Sequence, residues 1–347
     1  METLTRTPAD QARRLVGHRY RRTDHYEVDR EKIREFARAL QDSHPAHRSE
    51  LAAAELGFDA VIAPATFATL PWMRAQEEVF SSQLYDYDLG QVLQSDQLLE
   101  FARPLVAGDV LTADVYFQSF RQVRDLDLLT TKNVLTDRHG VPVQSGTTTL
   151  VARAGGVRSE PAELVDGIIM TGLGTADRQD RHAEALGALL PISGDAIAVT
   201  PLGRRPRTAC TAGDLAPGDQ LPTRTARLTR GDLANFAGVT GDANPIHFSD
   251  AVAAAAGLPA VVAHGMLTMG LGAGYLTDWL GDPAALTKYG VRFAGTLPVG
   301  TEAPSSVEFG GTVISVDHRQ RTATIGLTAI GNGRKLFSRA TAVVALR

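Results

Sequence analysis

Hydrophobic residues recur at helical spacing in two segments of the chain that lie 200 positions apart. The apolar faces consist of Ile33, Phe36, Ala37 and Leu40 in the first segment, and of Leu233, Phe236 and Ala237 in the second. Asp29 and Thr229 precede these segments, and the side chain of each can accept a hydrogen bond from a free backbone N–H. We therefore expect two helices that begin directly after Asp29 and Thr229, the second ended by Gly241 in a left-handed conformation.

The two helices belong to a longer internal repeat. Residues 29–73 align with residues 229–273 without a gap, and the matched residues include Asp42 with Asp242, Pro45 with Pro245, His47 with His247, and Gly57 with Gly257. Each copy continues into a turn-rich stretch, a short Ala-rich helix and a second apolar segment. Pro64 is expected at the first position of the helix in that last segment, where its missing N–H does no harm.

After each helical region the pattern becomes alternating or β-branched, which predicts strands. The predicted strand runs are 110–120, 126–136 and 142–152 after a lead-in at 100–104 in the first copy, and 305–309, 323–330 and 335–346 after a lead-in at 291–293 in the second. Helices followed by an antiparallel meander are typical of an α+β module. We expect an N-terminal module at 1–154, a linker and lead-in segment at 155–207, and a C-terminal module at 208–347.

Composition excludes several classes of protein. The chain of 347 residues is 44% hydrophobic, and its net charge of −4 gives no support for nucleic-acid binding. The cluster of Arg204, Arg205 and Arg207 is expected to lie on the solvated surface. Cys210 is the single cysteine, so no intramolecular disulfide can form, as suits a reducing cytoplasm. The N-terminus does not read as a secretory signal. The uncharged segment Leu258 to Leu276 is expected to be a buried helix, without stable membrane insertion.

The most informative segment runs from Phe236 to His247. It contains Gly241, Asp242, Asn244, Pro245 and His247, and it resembles the signature of the MaoC-like dehydratases, also called (R)-specific enoyl hydratases. Ala263-His264-Gly265-Met266 resembles the second conserved block of that family, at the start of the central helix. The resemblance implies a double hot-dog fold, in which each of two modules wraps an antiparallel sheet around a central helix.

The chemistry of this motif accounts for its residues. Hydration of a 2-enoyl thioester moves one proton at the α-carbon and one at the β-oxygen, and Asp242 and His247 can supply the two acid–base groups. Asn244 would orient the loop or the water, Pro245 would restrain the loop, and His264 would support the site. The resemblance implies an oxyanion hole at the N–H of Gly265. No metal site or cofactor is predicted, and the division of the two proton transfers stays open.

The first copy departs from the motif. Asp42 and His47 are retained, but Gln41 and His44 replace the glycine and the asparagine, and the second block reads Ala63-Pro64-Ala65-Thr66. We therefore expect a degenerate half that shapes an acyl tunnel, with Asp42 and His47 in structural roles. Together with the segments Tyr26-Glu27-Val28 and 52–58, the chain resembles a fusion of the A-type and B-type subunits of actinobacterial (3R)-hydroxyacyl-ACP dehydratases.

This resemblance implies a (3R)-hydroxyacyl-thioester dehydratase of fatty acid biosynthesis, a cytoplasmic lyase of lipid metabolism. Its substrate would be carried on the phosphopantetheine of acyl carrier protein (ACP) or coenzyme A (CoA), and no other cofactor is expected. Three alternatives stay open: a CoA-specific (R)-enoyl hydratase of fatty acid breakdown, a non-catalytic acyl-binding protein, and, against the motif, a hot-dog thioesterase. The chain is expected to be a monomer of fused halves or a homodimer.

Overall fold

In the computed structural model, the described residues are 7–84, 87, 92–153, 165, 168, 188–201 and 203–347. The α-helices among them are α1 Pro8–Leu15, α2 Arg30–Ala39, α3 Glu50–Glu55, α4 Thr69–Gln83, α5 Arg230–Thr240, α6 Asp250–Ala255 and α7 Gly265–Leu280. The strands are β1 Arg19–Arg22, β2 Tyr26–Glu27, β3 Leu93–Phe101, β4 Val110–Val123, β5 Leu126–Thr136, β6 Pro142–Arg153, β7 Leu189–Ile192, β8 Gln220–Leu228, β9 Leu286–Phe293, β10 Ser305–Asp317, β11 Thr322–Gly331, β12 Arg334–Lys335 and β13 Phe337–Ala345.

The predicted helix boundaries are confirmed at α2 and α5. The Asp29 carboxylate accepts a hydrogen bond from the Lys32 N–H, and Thr229 forms a reciprocal cap with Asp232. Gly241 ends α5 with φ of +81°, in the left-handed region that favours glycine. The expectation for Pro64 is wrong, because tight turns occupy residues 65–68 and α4 begins only at Thr69.

The strands form an antiparallel sheet that runs through both halves of the molecule. Its order is β7-β1-β4-β5-β6-β3-β9-β13-β11-β10-β8, with β2 on β4 and β12 on β11. The halves join where β3 pairs with β9, with Leu98 opposite Gly290. A methyl group at residue 290 would lie 3.1 Å from the Leu98 side chain, so the bare glycine suits this junction. Strand β10 extends eight residues beyond its predicted end at 309.

Parts of the predicted linker at 155–207 pack on both halves. Strand β7 pairs with β1 of the first half, and Val165 and Ile168 pack on an apolar cluster of the second half. Residues 154–164, 166–167, 169–187 and 202, which include most of that linker, lie outside the described residues. The module boundaries at 154 and 207 therefore stay predictions.

Helix α7 is the central helix of the second half and is buried over most of its length. Two of its glycines face different neighbours. A methyl group at Gly272 would lie 2.7 Å from the Tyr289 hydroxyl of β9, whereas one at Gly270 would overlap Leu40 of the first half. The predicted α+β class and double hot-dog architecture are confirmed. Among the residues described, no helix has both the length and the apolar character needed to cross a bilayer.

Candidate active site

The loop after α5 owes its shape to three residues of the motif. Gly241 reverses the chain, and the Asp242 carboxylate then accepts a hydrogen bond from the Asn244 N–H at 3.2 Å. The Asn244 side chain in turn accepts from the Ile246 N–H, which caps a short 3-10 helix, Pro245–His247. Proline at the first position of that helix restrains φ without losing a hydrogen bond. Asp242 precedes this short helix, and His247 is its last residue.

His247 is buried and its orientation is fixed by the backbone. Its Nδ1 lies 2.8 Å from the Val262 carbonyl oxygen, which can only accept, so Nδ1 carries the hydrogen. The neutral ring then presents a lone pair on Nε2. Burial lowers the pKa of His247, against the opposing effects of the Asp242 charge and the Val262 hydrogen bond. A neutral imidazole with a free Nε2 is suited to accept a proton.

His264 lies against His247 at the start of α7. The two rings stack with centroids 3.7 Å apart, and the centroid of the Phe236 ring lies 4.9 Å from that of His264. Both His264 ring nitrogens are buried without a hydrogen-bond partner among the described residues. Burial and the neighbouring His247 lower the pKa of His264 to about 2. His264 is therefore a neutral ring in the folded protein over the physiological pH range.

Gly265 is the first residue of α7, as the motif predicts. The first N–H groups of a helix have no acceptor within the helix and lie at its positive end. Gly265 is exposed, and a methyl group there would lie 3.4 Å from the Phe293 ring. The position combines an available donor with room for a substrate oxygen, which is the geometry that an oxyanion hole requires.

The structure brings the predicted side chains together. Carboxylate and ring-nitrogen atoms of Asp242, His247 and His264 all lie within 4.8 Å of one another. This spacing suits proton transfer through a bound hydroxyl group, and a small cation could also bridge three such atoms. Asn244 and Pro245 shape the loop and Gly265 borders it, so all six predicted site residues belong to one region.

The first half contains the corresponding loop, in which the Asp42 carboxylate lies against the His47 ring and the pair is shielded from solvent. His47 Nδ1 lies 2.7 Å from the Ile62 carbonyl oxygen, and its Nε2 lies 3.4 Å from the Asp42 carboxylate. His47 is fully buried and Asp42 is 7% exposed. Burial alone would raise the pKa of Asp42, but its hydrogen bond to His47 and the charge of that ring lower it overall. His44, which occupies the position of Asn244, contacts the second half through its Nε2–H, which donates to the Gly281 carbonyl.

Arg204 connects the two halves of the molecule and was not predicted to do so. Its guanidinium donates to the Leu56 carbonyl and pairs with Asp282 at 2.9 Å, while it stacks on Phe58. The expectation of a solvated arginine cluster is therefore wrong for Arg204, whose side chain is 25% exposed. It holds for Arg205 and Arg207, which are exposed.

Sequence reasoning also missed Glu77 on α4. Burial and the charge of Asp242 together raise the pKa of Glu77 to about 7, despite the opposing charge of Arg74. Glu77 comes from the half that lacks the complete motif, so no motif points to it.

Comparison with known families divides the chain in the same way as the repeat. Residues 14–145 match a family model described as the FAS1-like dehydratase domain region, and residues 214–331 match the MaoC-like domain. A UPF0336 protein of Mycobacterium leprae is 45% identical over 141 residues, which is 41% of this chain and 89% of that protein. A UPF0336 protein of Mycobacterium tuberculosis is 43% identical over a segment of the same length, again 41% of this chain and 89% of that protein.

Solved structures match almost the whole chain. A structure described as a MaoC-like dehydratase is 39% identical, with a TM-score of 0.87, over 97% of this chain and 100% of its own length. A Mycobacterium tuberculosis protein described as having a double hot-dog fold has a TM-score of 0.61 and 13% identity, over 95% of this chain and 96% of its own. The second likeness concerns the fold alone.

Proposed function

The chain belongs to the MaoC-like dehydratase family, and from this premise we propose that it is a (3R)-hydroxyacyl-thioester dehydratase with one active site, built by its second half. The observation that carries the proposal is the tight grouping of Asp242, His247 and His264 beside the N-terminus of α7. The enzyme would interconvert a 3-hydroxyacyl thioester and a trans-2-enoyl thioester, with gain or loss of water.

In the dehydration direction, neutral His247 would take a proton from C2 through Nε2, which the Val262 carbonyl leaves free. The negative charge that moves onto the thioester oxygen would be stabilised by the Gly265 N–H at the positive end of α7. Asp242 would protonate the 3-hydroxyl group, which leaves as water while the C2–C3 double bond forms. A proton then passes from His247 back to Asp242 through water, and the site is restored.

The first half would bind the acyl substrate and would not catalyse the reaction. Its Asp42 carboxylate is closed against His47 and shielded from solvent, so a substrate hydroxyl has no access to that pair. Its N–H at residue 65 lies in a turn and not at the start of a helix, so the oxyanion site is also missing there. This asymmetry supports a fusion in which the first half lines the acyl site of the second.

The carrier is proposed to be ACP, in fatty acid elongation in the cytoplasm, with CoA-linked hydration in fatty acid breakdown as the alternative. Both carriers present the acyl group on phosphopantetheine, so the dyad itself does not distinguish them. No metal and no further cofactor are proposed, and the assembly would be a monomer of fused halves or a homodimer.

The test is the hydration of a long-chain trans-2-enoyl-CoA, followed by the loss of enoyl-thioester absorbance. Asp242→Asn and His247→Ala should each lower kcat/KM by at least about a hundredfold, as expected for loss of an acid–base group. His47→Ala, the matched variant in the first half, should stay near the wild-type value per folded molecule. Activity that survives both second-half variants would contradict the assignment. Comparison of acyl-ACP with acyl-CoA, at equal concentrations of each, then identifies the carrier.

A further inference from the structure

A cleft with arginine side chains in its walls lies on the surface of the described part of the molecule. Its volume is about 440 Å³, and the residues that line it are Arg205, Pro206, Arg207, Thr208 and Arg347. The three arginines are exposed, in a chain whose net charge is −4. Small-molecule sites in proteins are clefts of about 300–1,000 Å³, so this cleft has room for a small ligand.

The backbone around this cleft is held in place by hydrogen bonds. The Arg207 N–H donates to the fully buried carboxylate of Asp282 at 2.7 Å. The Thr208 hydroxyl accepts from the Arg347 N–H at 3.1 Å, and the Arg347 guanidinium donates to the Ala209 carbonyl at 3.2 Å. The backbone that carries Arg207 and Arg347 is therefore ordered before a ligand binds, which reduces the entropy lost on binding.

The positive charges of the cleft are not neutralised by ion pairs. Within the described ranges, the side chains of Arg205, Arg207 and Arg347 form no ion pair, and Asp282 accepts from the backbone of Arg207 and not from its guanidinium. The carboxylate of Asp214, further along the same segment, accepts hydrogen bonds from the backbone and the side chain of its own turn. Three like charges around one volume repel one another, so an anion among them would be stabilised.

We propose that this cleft is a binding site for a phosphate-bearing small molecule, held by Arg205, Arg207 and Arg347. Guanidinium groups form paired, charge-assisted hydrogen bonds with phosphate oxygens, which makes arginine well suited to recognise phosphate. The concave shape favours a small anion over an acidic protein, because a protein partner requires an extended surface of roughly 800 Å² on each side.

The cleft lies at the opposite end of α7 from the proposed catalytic residues. The Ala209 N–H donates to the carbonyl of Leu280, the last residue of α7, whereas Gly265 is the first. A helix of 16 residues is about 24 Å long at about 1.5 Å per residue. On its other side the cleft borders the first half, since a methyl group at Gly57 would lie 3.8 Å from the Arg207 guanidinium. The ligand would therefore bind outside the acyl site, and this inference does not rest on the proposed function.

The experiment titrates the full chain with inorganic pyrophosphate in a calorimeter, at low ionic strength because salt screens exposed charges. The wild type should bind saturably, and the double variant Arg205→Gln/Arg207→Gln should raise Kd by at least about tenfold through the loss of charge-assisted hydrogen bonds. Arg334→Gln/Arg339→Gln removes two other exposed arginines with the same change in net charge, and it should bind as the wild type does. Absence of saturable binding to the wild type, or equal weakening in both double variants, would overturn the inference.

Further titrations identify the source of the phosphate. Tighter binding of ADP than of pyrophosphate would indicate a nucleotide, and equal affinities would indicate recognition of the phosphate groups alone. Binding of apo-ACP without binding of pyrophosphate would make this surface a docking site for an acidic protein and would overturn the inference. Thermal unfolding shows that each variant is folded. Arg347→Gln replaces the double variant if the latter does not fold, and an unchanged affinity for pyrophosphate in Arg347→Gln would likewise count against the site.

Discussion

The imidazole rings of His247 and His264 stack with centroids 3.7 Å apart and planes inclined by 26°. One ring has a hydrogen-bonded Nδ1, and the other has no hydrogen-bond partner at either nitrogen among the described residues. Protonation of either ring in this arrangement disfavours protonation of the other, because two imidazolium ions would face each other in a buried place. Burial at this place lowers the pKa of both rings, so a neutral base is available at His247.

This stack predicts a pH dependence of stability. The pKa of His264 is about 2 in the folded protein, against about 6.5 in the unfolded chain, so the unfolded chain takes up the proton first. The stabilisation is complete above pH 6.5 and is lost as the pH falls below that value. The free energy of unfolding should decrease by up to about 1.4 kcal/mol per pH unit for this one proton. Urea unfolding at pH 7.5 and pH 5.5 measures the decrease.

His264→Phe should reduce this decrease, because phenylalanine fills the same space without taking up a proton. The lowered pKa of His247 contributes in the same direction, so part of the decrease should persist. His139→Gln, at an exposed histidine, serves as the control and should behave as the wild type. An equal decrease in His264→Phe and the wild type would contradict the prediction.

Gly265→Ala tests the approach of the substrate to the start of α7. The added methyl group would lie 3.4 Å from the Phe293 ring, in the space proposed for the thioester oxygen. We expect kcat/KM to fall by roughly tenfold to a hundredfold, since a displacement of about 1 Å at a reacting group costs that much. Thermal stability should change little. Gly238→Ala, where no atom lies within 4 Å, is the control, and equal rates for both variants would exclude this use of the Gly265 backbone.

Gly270→Ala tests the packing of α7 against the first half. The methyl group would overlap the buried side chain of Leu40 and lie 3.1 Å from the Thr66 hydroxyl. Overpacking of this kind costs about 1–3 kcal/mol, which outweighs a gain in helix propensity of at most about 1 kcal/mol. Chemical denaturation should show a net loss of stability, whereas Gly238→Ala should show none. A stabilised Gly270→Ala would mean that the two halves are not in close contact at this point.

His47→Ala separates structure from catalysis in the first half. The substitution leaves the Asp42 carboxylate buried without its partner, and such losses cost about 3–5 kcal/mol. We expect a large decrease in the free energy of unfolding, measured in urea, together with an unchanged rate per folded molecule. A stable but inactive His47→Ala protein would instead place chemistry in the first half.

Much of this fold could be predicted because the helix-capping residues and the internal repeat indicate the same secondary-structure elements. The caps at Asp29 and Thr229 and the left-handed Gly241 follow from short-range hydrogen bonding, which the sequence displays directly. The grouping of Asp242, His247 and Gly265 followed from a family resemblance. The prediction that a helix begins at Pro64 was wrong because turns occupy residues 65–68, and α4 begins only at Thr69.

The features that escaped prediction depend on how the halves meet. The faces of Gly270 and Gly272 differ by about 200° around α7, and only the packed structure shows which face meets Leu40 and which meets Tyr289. Arg204 reads as a surface residue until Asp282 and Phe58 are brought beside it from distant parts of the chain.

The pairing of β3 with β9 also has a consequence for assembly. Two separate subunits would lose translational and rotational freedom each time they associate, and their complex would dissociate on dilution. Within one chain the partner strand is always present, so the pairing does not depend on the concentration of the protein. The half that carries the Asp242–His247 dyad is therefore always joined to the half that contributes β3, and the sequences of the two halves can diverge without loss of the pairing.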